Sequence, residues 1–117
     1  MKIEYTKTFQ RGLKKCRKRG WAATELEPIL AILSSRGFTQ DEVIKYDDHI
    51  LTQNLSGHRA LHPRGRNHNW VVMYHYTDGK LILDDMRKSE NPDDLTVVID
   101  DTGTHDEVYG ENYIVYL

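Results

Sequence analysis

One cysteine, Cys16, is all the sequence has, so it can form no internal disulfide and no cluster of thiolate metal ligands. No apolar run approaches the roughly 20 residues that a membrane-spanning helix needs. The opening Met1-Lys2-Ile3-Glu4-Tyr5 lacks the apolar centre of a secretory signal. Repeats and low-complexity tracts are missing as well. Neither sign of charge dominates: 16 Lys and Arg stand against 18 Asp and Glu, a net charge of −2, which disfavours a general nucleic-acid binder. With 117 residues and 38% hydrophobic content, the expectation is one cytoplasmic domain over 1–117 with a modest core.

The charge is unevenly placed. Residues 1–20 hold eight bases and one acid, whereas residues 84–107 hold nine acids and two bases. A segment that basic reads first as a solvated helix face and second as a polyanion-facing surface.

Periodicity sets the elements. Lys2 to Tyr5 reads as a strand. From Thr6 to Arg19, Phe9, Leu13 and Cys16 recur at helical spacing, giving an amphipathic helix that Gly20 stops. Thr24-x-x-Glu27 predicts a capping box opening a second helix, which buries Leu26, Ile29, Leu30 and Leu33 and closes at Gly37. Residues 39–57 read as irregular. Strands follow at His58–His62, Trp70–Tyr76, Lys80–Asp84 and Leu95–Asp100, with Asp78-Gly79 as a hairpin turn. Residues 86–94 read as an exposed loop, and Thr104-x-x-Glu107 as a capping box starting a helix at His105. Residues 112–117 alternate as a possible last strand. The predicted class is α+β, a helical hairpin on one face of a twisted, mainly antiparallel sheet, with the other face left for a ligand.

Six histidines are the natural source of acid–base chemistry near neutral pH: His49, His58, His62, His68, His75 and His105. On a strand, His58 and His62 stand about 13 Å apart and cannot share one ion. No HExxH sequence or carboxylate triad accompanies them, so neither a metal site nor a cofactor is expected. Arg59, Arg64 and Arg66 offer guanidinium groups suited to phosphate, or simply a surface loop. The glycine turn Thr102-Gly103-Thr104, leading into His105, leaves backbone N–H groups at a helix start that favour an anion.

Four elements in order carry a resemblance: Tyr46-Asp47-Asp48-His49, Gly57-His58-Arg59-Ala60-Leu61-His62, Asn69-Trp70-Val71-Val72-Met73-Tyr74, and Thr102-Gly103-Thr104-His105 with Val108-Tyr109. Together with the basic first helix, they resemble the YafQ branch of the RelE-like toxins, mRNA interferases of type II toxin–antitoxin pairs, over about residues 1–110. The resemblance implies a microbial RNase-like fold and metal-independent cleavage of mRNA in the ribosomal A site. It also implies a cognate antitoxin, whose complex with the toxin binds operator DNA through the antitoxin. By motif position, His49, His62 and His105 would be the catalytic histidines. Arg59 would contact phosphate or support the site, Trp70 would pack or stack, and Tyr109 would edge the site. Asn69, Arg64 and Arg66 complete the expected substrate contacts. Asn69 stands where this branch usually has aspartate, and Asp101 where it has a base. Residues 84–98 read as an insertion. An alternative expectation is a toxin-like protein that binds antitoxin, ribosome or RNA without cutting.

Overall fold

The computed structural model describes residues 1–115. The first strand, β1 (Lys2–Tyr5), runs straight into α1 (Lys7–Lys18), whose start is capped by Thr6 Oγ1 accepting from the Phe9 N–H. Phe9 and Cys16 are the buried positions of α1, as the apolar stripe predicts, and Gly20 turns the chain at φ 82°. The second helix, α2 (Glu27–Leu33), buries Leu26, Ile29 and Leu33 against the same core.

The start of that helix differs from expectation. A 3-10 turn at Ala23–Glu25 precedes it, and Glu25, not Glu27, reaches back to the chain, accepting from the Ala22 N–H. The Thr24–Glu27 box is therefore not the capping device. Residues 39–57 are not irregular either: Thr39 and Glu42 form a capping box that opens α3 (Gln40–Lys45), and β2 (His49–Ile50) follows.

The sheet adds β3 (Arg59–Leu61), β4 (Val71–Thr77), β5 (Ile82–Leu83) and β6 (Thr96–Gly103). Its order is β1-β6-β4-β3-β2, with β5 pairing β4 off this path. Among the described residues only the β1–β6 pair is parallel, which makes the sheet mixed with antiparallel pairing dominant. The 86–94 segment is a connection with two short 3-10 turns.

Period-two alternation divides β4 between two layers. Val72, Tyr74 and Tyr76 face the helical hairpin, in a core with Trp70, Leu61, Val97 and Ile99. Val71 and Met73 face the other way and meet Ala60, Leu51 and Leu55. That second face is not left bare: Val108 and Tyr109 of α4 (His105–Val115) cover part of it. Gly110, at φ 50°, interrupts the helical dihedrals of α4. Residues 112–115 belong to this helix rather than to a strand, and 116–117 lie outside the described residues. No helix among the described residues is long and apolar enough to cross a membrane.

Contact between α1 and β6 depends on Gly12. A Cβ there would sit 2.2 Å from the Thr102 carbonyl oxygen, which is backbone and cannot rotate away. Gly12→Ala should therefore lift the helix off the strand. Overpacking of this kind costs about 1–3 kcal/mol, more than the gain in helix propensity of about 1 kcal/mol returns. A lower urea midpoint is expected, and an unchanged one would show that α1 can slide without loss.

Candidate active site

Three elements bring three imidazoles together. His49 opens β2 opposite Ala60, His62 follows β3, and His105 begins α4. Each is held by local backbone. Asp47 takes a left-handed φ of 49°, and its carbonyl lies 2.7 Å from His49 Nδ1. The His62 N–H donates to the Tyr46 carbonyl at 2.6 Å, tying the end of β3 to the turn that carries Asp47. The predicted capping box at Thr104 is present, with Glu107 N donating to Thr104 Oγ1 and Thr104 N donating to Glu107 Oε1. It sets the helix start that aims His105.

His62 Nε2 and His105 Nε2 are 3.1 Å apart, and the His49 ring stacks on His62 at a centroid distance of 6.1 Å. Partners fix the proton positions. Asn69 Oδ1 accepts from the His105 N–H at 3.1 Å and sits 2.5 Å from His105 Nδ1, so that nitrogen carries the proton. Neutral His105 then presents a bare Nε2, to which His62 Nε2–H donates. This leaves His62 Nδ1 without its proton, 3.2 Å from an Asp47 carboxylate oxygen. The distance suits an ion pair but the angle does not suit a hydrogen bond, and the buried Nδ1 has no hydrogen-bond partner among the described residues. A proton taken up there would face Asp47. By the same reasoning His49 is protonated on Nδ1 and presents Nε2 from an exposed ring.

Burial pushes the His62 pKa down, with Asp47 acting against it and the neighbouring histidines His105 and His49 adding to it. His105 is also lowered, again chiefly by burial, against the pull of Asp106. Asp101 lies in a desolvated place that raises its carboxyl to about 6, with Glu107 and Asp100 contributing.

The other expected contacts are placed differently. Asn69 joins the histidines by fixing His105, and the Tyr109 ring lies 5.7 Å from that of His105. Arg59 does not join them. It points to the helical side of β3, where Asp48 accepts from its Nε at 3.0 Å and its Nη2 at 2.8 Å. Asp48 also accepts from the Tyr74 hydroxyl at 2.5 Å, so the arginine supports the fold instead of meeting a phosphate. Trp70 is fully buried, donates to Thr102 Oγ1 at 2.8 Å and stacks on Trp21, which leaves no ring face for a base. Arg64 is held by Glu25 through two 2.8 Å bonds and lies over the Trp70 ring. Arg66 is exposed and makes no hydrogen bond or ion pair among the described residues. Asp47 and Asp48 are the residues that sequence reasoning missed, though the carboxylate pair directly before His49 was their signal.

The described residues form a small α+β domain that gathers three histidines between a sheet and a helix start. The chain belongs to the YafQ family, bacterial toxins of type II toxin–antitoxin systems, whose family model matches residues 1–110. No curated protein sequence matches it. Among solved structures it is similar to YafQ from E. coli strain BL21(DE3), at 23% identity and a TM-score of 0.64, covering 92% of this chain and 97% of that one. YafQ in the E. coli DinJ–YafQ complex is similar at 23% identity and a TM-score of 0.60, covering 92% and 97%. A metal-bound toxin from Helicobacter pylori is similar at 21% identity and a TM-score of 0.64, covering 92% and 98%. These likenesses establish the fold.

Proposed function

We propose that the chain is an mRNA endoribonuclease that works by histidine acid–base chemistry on ribosome-bound message. The observation that carries this reading is the meeting of His49, His62 and His105, with 3.1 Å between the Nε2 atoms of the last two. In the reaction, the RNA 2′-OH oxygen attacks the adjacent phosphorus and the bond to the 5′ oxygen breaks. A 2′,3′-cyclic phosphate and a 5′-OH end remain.

The exposed His49, with a bare Nε2, takes the 2′-OH proton. His105 gives a proton to the leaving oxygen. His62, 3% exposed, acts through His105 as a positioning residue: it takes up the proton next to Asp47 and hands its Nε2 proton forward. Asn69 locks the His105 tautomer. Arg66, the loop arginine outside the ion pairs of the described residues, supplies positive charge to the phosphate. Exposed Lys14, Lys15, Arg17 and Lys18 of α1 give a polyanion surface for the ribosome. Family membership supports a cognate antitoxin, as in the E. coli DinJ–YafQ toxin–antitoxin complex, and the pair would contact operator DNA through that antitoxin.

Induced expression in bacterial cells tests the reading. Growth should stop and messages should accumulate as fragments with 5′-OH ends, an effect relieved by the cognate antitoxin. Cleavage of ribosome-bound but not of naked message by purified protein would give the ribosome its role. Soluble protein that accumulates in growing cells with intact message would overturn the enzyme and leave a binding protein.

A further inference from the structure

A second histidine group lies on the same sheet, four residues along β3 from the first. His58 precedes β3, His75 is in β4, and Asp100 is the extra residue of a β6 bulge, where pairing shifts between Met73–Asp101 and Tyr74–Ile99. The bulge turns the Asp100 carboxylate to His75, whose Nδ1 is 2.8 Å from Oδ2, and the same oxygen is 3.9 Å from His58 Nε2. The two rings meet edge to face at 4.8 Å. His58 Nδ1 lies 3.2 Å from the Leu55 carbonyl, so it donates there and leaves Nε2 bare toward the carboxylate.

We propose that His58, His75 and Asp100 bind a divalent transition cation of the zinc class. One ligand atom from each residue lies within 4.8 Å of the others. Ligands around tetrahedral zinc at about 2.0–2.1 Å stand roughly 3.3 Å apart, so side-chain rotation alone closes the set. Two imidazoles and one carboxylate select borderline cations such as Zn²⁺, Co²⁺ or Ni²⁺ over Mg²⁺ and Ca²⁺, which prefer all-oxygen shells. The His58–Leu55 hydrogen bond is the kind of outer contact that orients a ligating ring. Side-chain exposures of 20%, 12% and 15% leave a coordination position that water can reach. His58 does not pair with His62, as a reading of their spacing on one strand already excludes; its partners come from β4 and β6. An ion there joins the start of β3 to β4 and, beyond it, to β6, and the site stands apart from the histidines given the cleavage role above.

The test uses the full chain, stripped with a chelator and titrated with Co²⁺ by visible absorption and with Zn²⁺ by calorimetry. One equivalent should bind with micromolar or tighter affinity, and the thermal midpoint should rise with cation concentration. His58→Gln, His75→Gln and Asp100→Asn should each weaken binding by about tenfold or more. His49→Gln and His105→Gln should leave affinity within about twofold. Circular dichroism of each chelated variant shows that it is folded, and three separate substitutions keep the result readable if one is not. The inference is overturned by no uptake at about 100 μM free cation, or by uptake that survives His58→Gln and His75→Gln but is lost in His105→Gln.

Discussion

His105→Gln should lower message cleavage about a hundred- to ten-thousandfold, or about 3–5 kcal/mol of barrier, and abolish growth arrest. The side-chain amide keeps polarity but cannot exchange a proton near neutral pH. Removing Asn69 should cost less, because the ring survives and only its orientation is freed; Asn69→Asp should restore the contact that Asn69→Ala loses. The pH profile separates chemistry from mere structure. His62 and His105 are both lowered from the usual histidine value, mainly by burial, so both are neutral at pH 7. The proton that His105 gives to the leaving oxygen must first be taken up by this neutral pair, so the rate in folded protein should rise as pH falls from 7 through about 6.5. Stability moves the other way: the unfolded chain takes up protons first, so the folded state loses ground as acidity increases across that window. Melting curves at each pH keep the rate measurement to folded protein. A rate in folded protein that falls as pH drops from 7 toward about 6 would overturn His105 as the proton donor.

Asp48→Ala should destabilise the fold by about 3–5 kcal/mol, the cost of leaving a buried charge without its partner. Asp48 is 7% exposed, accepts two bonds from Arg59 and one from the Tyr74 hydroxyl, and Tyr74 is 1% exposed. Truncation strands both partners at once. The guanidinium keeps only the bond from Nη1 to the Asp84 carbonyl, at 3.3 Å. Asp48→Asn should cost less, since an acceptor remains. Combining Asp48→Leu with Arg59→Leu should recover much of the loss of either single change, because no orphaned charge is left. Urea unfolding of the parent, the three Asp48 variants, Arg59→Leu and the double variant measures this. Equal stability of Asp48→Ala and the parent would mean that the pair contributes nothing to the fold. Since Asp48 lies between Asp47 and His49, the unstable variant should also be a poor nuclease at temperatures where it still folds.

Long elements with one strong period were readable from the chain alone. The stripe of Phe9, Leu13 and Cys16 and the apolar run of β4 left little choice. The helix α3 was not readable by period, since six residues give fewer than two turns; its capping pair, Thr39 and Glu42, was the available signal. Ordered motifs gathered the histidines. The same strand arithmetic that separates His58 from His62 also separates Arg59 from His62, because an odd spacing of three puts side chains on opposite faces. Arg64 escaped because its partner Glu25 is 39 residues away. The Asp100 cluster escaped for a different reason: a bulge shifts the register, and alternation alone cannot say where a strand will skip.

The sheet path ends at β1 on one side and at β2 on the other. One rim is four residues long and bears the exposed charges of Lys2 and Glu4, while the other is only two residues long. Short, charged margins give a stray strand few free amides to grip, so copies of the chain held at high concentration have little ladder to extend into aggregates.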